Sequence, residues 1–95
     1  MEEHVNSRII REFELRNQYG MHARPAALFA KTALRFDSEV TVEKDGTRVS
    51  GKSIMGLMTL EAGCGSRLRV TIDGDDAEAV LDELEALFDR KFDED

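Results

Sequence analysis

The stretch Tyr19-Gly20-Met21-His22-Ala23-Arg24-Pro25-Ala26-Ala27 contains the signals for a tight turn, a single histidine and the start of a helix. Gly20 suits the positive φ angle that a sharp reversal of the chain requires. Pro25 suits the first helical turn, because its missing N–H would have no intrahelical partner there. The sequence therefore predicts a strand that turns at Gly20 and continues as a helix, with His22 at or next to the N-cap.

This placement would give His22 an anion-binding environment. The first N–H groups of a helix lack intrahelical acceptors, and the positive end of the helix dipole points the same way. Arg24 adds a guanidinium, whose forked donors suit phosphate. The helix end and Arg24 should both disfavour the imidazolium form of His22, and a neutral ring has a free lone pair that can attack phosphorus. We therefore predict a transiently phosphorylated histidine.

A histidine near a helix start is, taken alone, more often an ordinary surface or core residue. The neighbours of His22 favour the functional interpretation over the ordinary one, because one geometry explains Gly20, Arg24 and Pro25 together. No Ser-His-Asp arrangement, paired-cysteine motif or HExxH spacing is present, which argues against a hydrolase or a metalloprotein. We expect no metal site and no cofactor.

Composition limits the remaining classes of protein. The 95 residues, of which 41% are hydrophobic, suit one domain over residues 1–95 with a modest core. No apolar run is long enough to span a membrane, and the acidic start Met1-Glu2-Glu3-His4 is unlike a secretory signal. A single cysteine, Cys64, cannot form an internal disulfide, which is compatible with a reducing cytoplasm.

The formal net charge of −7 argues against nonspecific binding to nucleic acid, which positive charge drives. A local basic patch could still meet an acidic partner protein. Its expected members are Arg24, Lys31, Arg35 and Lys52.

Hydrophobic periodicity predicts the order strand, helix, strand, strand, helix, strand, helix. The strands are expected at residues 9–15 (with Phe13 and Leu15 facing in), around Val40 and Val42, at 47–50 after an Asp45-Gly46 hairpin turn, and at 67–72; the helices are expected at 23–36, after Ser53, and at 77–88 behind an Asp75–Glu78 capping box. Residues 1–7 should be a flexible lead-in, and Phe92-Asp93-Glu94-Asp95 a frayed acidic tail within residues 91–95. Helices on one face of a mostly antiparallel sheet make a two-layer α+β sandwich.

Ser53 precedes the apolar segment Ile54-Met55-Gly56-Leu57-Met58-Thr59-Leu60. Serine is a favoured N-cap, so its simplest role is to start a short helix. Such a helix cannot bury every apolar residue of the segment, which predicts an exposed patch and a partner site. The alternative, equally open from the pattern alone, is that both methionines fill the core.

Two blocks of the sequence resemble the HPr family, the histidine-containing phosphocarrier proteins of the phosphoenolpyruvate-dependent phosphotransferase system. The block Gly20-Met21-His22-Ala23-Arg24-Pro25-Ala26 resembles the active-site signature, and Gly51-Lys52-Ser53-Ile54-Met55-Gly56-Leu57-Met58 resembles the regulatory-serine segment. The blocks lie at the family spacing, and the likeness runs from about Ile10 to Phe88. The resemblance implies an open-faced sandwich, in which a four-stranded antiparallel sheet of order 1-4-2-3 carries three helices on one face.

The resemblance also implies roles for individual residues. His22 matches the phosphoacceptor, modified on Nδ1 by enzyme I and discharged to enzyme IIA domains or regulatory clients. Arg24 matches the assisting arginine, and the N–H groups of Ala23 and Arg24 match the phosphate-facing backbone. Ser53 matches the serine that an HPr kinase phosphorylates in some bacteria. The docking positions are matched by Ala27, Ile54, Met55 and Met58.

The resemblance does not select one branch of the family. The ending Leu87-Phe88 with Phe92-Asp93-Glu94-Asp95 resembles the nitrogen-related regulatory branch, whose members often lack the form of the serine segment present here. We therefore expect a cytoplasmic, monomeric phosphoryl carrier rather than a turnover enzyme, with either sugar-transport or regulatory clients. The alternative is a regulatory binding module that acts by contacts and Ser53 phosphorylation, without onward transfer.

Overall fold

A computed structural model describes residues 7–94, which form four strands and three helices. The strands are β1 (Ser7–Glu14), β2 (Glu39–Lys44), β3 (Thr47–Ser50) and β4 (Arg67–Gly74). The helices are α1 (Ala23–Leu34), α2 (Ile54–Thr59) and α3 (Ala77–Asp89), and a C-terminal turn spans Lys91–Asp93. The predicted order of elements is confirmed, although α1 ends two residues before the expected Phe36. The expected lead-in is wrong for Ser7, which belongs to β1 and pairs with Gly74. Residues 1–6 of the lead-in, and Asp95, lie outside the described part of the chain.

The sheet has the order β1-β4-β2-β3, and each neighbouring pair is antiparallel, as expected. Side chains along each strand alternate between the face that is buried under the helices and the face that meets water. In β4, Leu68, Val70 and Ile72 are fully buried, whereas Arg67 and Arg69 are exposed. The two-layer α+β fold is therefore confirmed, with β1 and β3 at the edges of the sheet.

An aromatic cluster ties the C-terminal turn to the core. Phe88 of α3 stacks on Phe13 of β1 with ring centroids 4.4 Å apart, and it meets Phe29 and Phe92 edge-on at 6.2 and 5.0 Å. Phe92 is only 1% exposed. The predicted frayed tail is therefore wrong for residues 92–94, because burial of a large aromatic ring holds this end of the chain against the domain.

Two predicted turns have different outcomes. Asp45 and Gly46 have φ angles of 50° and 84°, as the predicted hairpin turn requires. The predicted Asp75 cap of α3 is wrong, because the N-cap is Asp76 and its carboxylate does not cap the helix. That carboxylate instead accepts hydrogen bonds from the N–H groups of Asp37 and Ser38, at 2.9 and 3.0 Å, and from the Ser38 hydroxyl.

Among residues 7–94, no helix combines the length and the apolar character needed to cross a membrane.

Candidate functional site

His22 is the N-cap of α1, as the sequence predicts. Its backbone is extended, with φ −87° and ψ −169°, and its carbonyl oxygen accepts the Ala26 N–H at 3.0 Å. The His22 side chain does not cap the helix. Within residues 7–94, the N–H groups of Ala23 and Arg24 have no hydrogen-bond acceptor, so both remain available at the positive end of the helix dipole.

Gly20 allows the turn before His22 to pack tightly against the loop that follows α2. Its φ of +67° lies in the left-handed region, and a Cβ there would collide with the Ala62 carbonyl oxygen and come within 2.6 Å of the Gly63 Cα. The next residue, Met21, donates its N–H to the same Ala62 oxygen at 2.8 Å. The position of His22 is therefore fixed from outside its own helix.

The His22 ring is partly open to solvent and is held on one side by a carboxylate. Its side chain is 38% exposed, and Nε2 lies 3.0 and 3.1 Å from the two carboxylate oxygens of Glu94. A carboxylate can only accept, so this contact assigns a hydrogen to Nε2. Nδ1 forms no hydrogen bond with any described residue. The free ring nitrogen is therefore the one that the family resemblance assigns to phosphorylation.

Glu94 is itself held in place by Asn17, whose side chain is fully buried. The Asn17 amide donates to Glu94 Oε1 at 3.0 Å and to the Gly20 carbonyl oxygen at 2.7 Å. Burial alone would raise the pKa of Glu94, but the hydrogen bonds from His22 and Asn17, with the nearby charge of Arg24, hold that pKa below its ordinary value. Glu94 is therefore a carboxylate at neutral pH.

Sequence reasoning missed both Asn17 and Glu94 as members of this site. They lie 77 positions apart in the chain, and no short motif connects them. One signal was available, because Phe92 is a large apolar residue inside an otherwise acidic ending. Such a residue indicates an anchored segment rather than a solvated one.

The expected basic patch is smaller in the structure. Arg35 pairs with Glu83 at 2.9 Å, and the Lys52 ammonium group donates to the Phe36 carbonyl oxygen at 2.9 Å, at the end of α1. Arg24 and Lys31 are exposed and form no ion pair with a described residue. Arg24 and Lys31 are therefore the members of the expected patch that keep an exposed charged group.

Ser53 is the N-cap of α2, and its hydroxyl oxygen accepts the Gly56 N–H at 2.9 Å. The apolar residues of α2 divide into two sets. Leu57 is fully buried, whereas Ile54, Met55 and Met58 are 43%, 74% and 40% exposed. The interpretation of both methionines as core residues is therefore wrong, and the expected exposed apolar patch is present.

A groove between α1 and α2 continues this patch. It has a volume of about 480 Å³, and its lining includes Ala27 and Leu34 of α1 with Ile54 and Met55 of α2. Ser53 lies on the same groove. The structure thus places four expected functional positions, Ala27, Ser53, Ile54 and Met55, around one apolar surface, and Met58 is exposed on the same short helix.

Cys64 is free and exposed, and its thiol lies 3.8 Å from the Arg16 carbonyl oxygen. Across residues 7–94, no three histidine, cysteine or acidic side chains come together as metal ligands would.

Sequence comparison identifies relatives along nearly the whole chain. Residues 9–90 match the family model described as the PTS HPr component phosphorylation site. Phosphocarrier protein HPr of Treponema pallidum is 45% identical over 86 residues, which are 90% of this chain and 98% of that protein. Phosphocarrier protein NPr of Shewanella violacea is 39% identical over 88 residues, which are 93% and 97% of the two chains.

Solved structures of proteins named HPr superpose on this chain. A crystal structure of HPr-C-His from Thermoanaerobacter tengcongensis superposes with a TM-score of 0.87 at 42% identity, covering 92% of this chain and 98% of that chain. A crystal structure of the HPr dimer from the same organism has a TM-score of 0.71 at 41% identity, covering 97% and 98%.

Proposed function

This chain belongs to the HPr family of phosphotransferase-system phosphocarriers, and we propose that it carries the phosphoryl group on Nδ1 of His22. The observation that supports this choice is the combination of a free Nδ1 with two open N–H groups at the start of α1. The ring is exposed enough for a partner protein to reach it, and Arg24 lies two residues further along the same helix. A purely structural histidine would need none of these features.

The transfer requires one bond to form and one to break. The Nδ1 lone pair of His22 attacks the phosphorus of phospho-enzyme I, and the bond between phosphorus and the donor breaks with its electron pair returning to the donor. Nε2 keeps its hydrogen throughout. The N–H groups of Ala23 and Arg24, with the Arg24 guanidinium, would face the phosphoryl oxygens and offset their charge. This stabilisation must be modest, because a group held equally well in every state is not transferred faster.

Enzyme I is the proposed donor, and enzyme IIA domains or regulatory clients are the proposed acceptors. We propose that these cytoplasmic partners dock on Ala27, Ile54, Met55 and Met58, because an exposed apolar patch marks a contact surface and methionines adapt to several partners. The monomeric state stays a prediction, since one similar structure is a dimer. Relatives named HPr and NPr match this chain comparably well, so both sugar-transport and nitrogen-type clients remain candidates.

A second candidate function is a regulatory binding module. The specific observation that favours it is the position of Ser53, whose hydroxyl lies at the start of α2 beside the exposed apolar groove. A phosphate added there by an HPr kinase would meet the N-terminus of α2 and place negative charge on the docking surface. In this candidate the protein acts through that surface, without passing phosphate on.

The deciding experiment is incubation with phosphoenolpyruvate and enzyme I, followed by mass analysis for an acid-labile adduct. We expect one phosphoryl group on the natural sequence and none on His22→Ala. The other histidine of the chain provides a matched control, and His4→Ala should accept phosphate like the natural sequence. An equal adduct on His22→Ala would place the phosphoryl group elsewhere, and no adduct on the natural protein would leave the binding-module function.

A further inference from the structure

The C-terminal turn brings a carboxylate onto the ring that the proposed function uses. We propose that Glu94 is a positioning residue, which fixes the hydrogen of His22 on Nε2 and stabilises the ring charge that develops when Nδ1 takes the phosphoryl group. The inference rests on the proposed function, because it assigns a further residue to the same transfer.

The contact with Glu94 selects the tautomer of the His22 ring. A neutral histidine carries its hydrogen on either ring nitrogen, and only the nitrogen without hydrogen is nucleophilic. Glu94 approaches Nε2 with both oxygens, at 3.0 and 3.1 Å, and a carboxylate offers no hydrogen to donate. This contact favours the ring with hydrogen on Nε2, and the Nδ1 lone pair is then available for attack.

The charge of the His22 ring changes during the transfer. When Nδ1 of the neutral ring bonds to phosphorus, the ring becomes positive because Nε2 still carries its hydrogen. Glu94 therefore interacts more strongly with the ring after attack than before it. An interaction that strengthens along the reaction path accelerates transfer, whereas one of constant strength does not. The same carboxylate keeps the phosphorylated ring protonated, which makes it the better leaving group for onward transfer.

The fold holds Glu94 in position beside the ring. Asn17 is fully buried and uses its amide to bind Glu94 and the Gly20 carbonyl oxygen, so it connects the carboxylate to the turn before His22. The preceding residues Lys91, Phe92 and Asp93 all have positive φ, between 53° and 60°. Three consecutive non-glycine residues in this region are costly, and such backbone persists only where contacts impose it. The burial of Phe92 supplies those contacts, and the outcome is a carboxylate against His22.

The test uses three variants of the full chain. Glu94→Ala removes the acceptor, Glu94→Gln keeps an acceptor oxygen but removes the charge, and Asp93→Asn removes the same charge one residue away, on a side chain that pairs with Arg90. Nitrogen-15 NMR of the neutral His22 ring reports which nitrogen carries the hydrogen. Rapid-quench measurement of the first turnover with phospho-enzyme I reports the rate of acceptance.

We expect Glu94→Ala to raise the population of the ring with hydrogen on Nδ1 and to slow acceptance about fivefold. Glu94→Gln should keep the natural tautomer and still slow acceptance, whereas Asp93→Asn should match the natural protein in both measurements. An unchanged tautomer or an unchanged rate in Glu94→Ala would overturn the inference, as would an equal loss in Asp93→Asn. None of these results would affect the proposed function, which fails only if the natural protein takes no phosphate on His22.

Discussion

The starts of α1 and α2 differ in whether the N-cap side chain accepts one of the first N–H groups of the helix. Ser53 closes the start of α2 with its own hydroxyl, which accepts the Gly56 N–H at 2.9 Å. His22 occupies the same position on α1 but leaves the helix uncapped, and its ring turns to Glu94 instead. The start of α1 is therefore open to an external anion, whereas the start of α2 is closed by its own serine.

The difference shows that the proposed phosphate site at α1 depends on a local capping contact that the helix does not make. An uncapped helix start lowers stability, so other parts of the chain must hold it. For α1 these parts are distant, because the turn before His22 packs on the loop at Ala62 and the ring contacts Glu94. For α2 a capping contact comes from a single side chain within the same turn.

The largest expected effect comes from removing the distant support of α1. Gly20→Ala would bring a Cβ into collision with the Ala62 carbonyl oxygen, on a backbone with φ +67°. Left-handed backbone and overpacking together should reduce the free energy of unfolding by about 3 kcal/mol. Urea denaturation of the variant measures this loss.

Gly46→Ala is the matched control for this prediction. Gly46 also has positive φ, +84°, but a Cβ there would meet no atom within 4 Å. Its loss should be only about 1 kcal/mol, from the backbone alone. Equal losses at the two glycines would show that the packing of Gly20 on Ala62 does not support the site.

The sequence predicted those features of the site whose signals are local. Gly20, His22, Arg24 and Pro25 stand within six residues, and each suits the geometry of one turn. The four strands and three helices follow from alternation and helical spacing in the same way. The strand order came from the family resemblance, because pairing between strands is not encoded in either period.

The part of the site that remained hidden depends on contacts between distant segments. Asn17 and Glu94 are polar residues in a turn and in an acidic ending, where solvated side chains are the usual expectation. The burial of Phe92 against Phe88 returns the end of the chain to the domain, and Asn17 then binds Glu94 beside His22. The loop contact of Asp76 was hidden for the same reason, because the Asp37 and Ser38 N–H groups that its carboxylate accepts lie 39 and 38 positions away in the chain.

A smaller effect is expected from opening the start of α2. Ser53→Ala removes the hydroxyl that accepts the Gly56 N–H, and α2 has only six residues. Loss of such a cap should reduce the free energy of unfolding by about 1 kcal/mol, which thermal or urea unfolding measures. Acceptance of phosphate by His22 should be unchanged, since the Ser53 hydroxyl bonds within α2 and not to His22 or Glu94. A matching loss of acceptance would mean that the two sites are coupled through the fold.

Ser53→Asp adds a negative charge at the start of α2 and keeps a capping side chain there. Aspartate caps a helix as well as serine does, so the free energy of unfolding should stay close to the natural value. We expect slower acceptance from enzyme I, because the carboxylate places negative charge beside the exposed Ile54 and Met55. First-turnover kinetics, with Ser53→Ala as the uncharged control, measure the difference. Identical kinetics in both variants would remove the regulatory role of Ser53.

The smallest expected effect concerns the third helix start, where a charged N-cap binds a neighbouring loop. The Ser38 hydroxyl and the Asp37 N–H hold the pKa of Asp76 below its ordinary value of 3.8. A lowered pKa means that the folded protein favours the carboxylate, so the stabilisation is present above that value and is lost as the pH falls through the lower one. Asp76→Asn should therefore be less stable than the natural protein at pH 7, and the gap should shrink in strong acid.

Urea denaturation at pH 7 and below pH 3.8 measures that gap, with Asp82→Asn on the exposed side of α3 as the control. At pH 7 the control should be about as stable as the natural protein, because its loss of charge leaves the loop contact intact. A gap at Asp76 that is the same at both pH values would show that the hydrogen bonds work equally well with a neutral acceptor. In that case the Asp76 contact would resemble the Ser53 cap, which carries no charge, and the charge at the start of α3 would have no part in holding the loop.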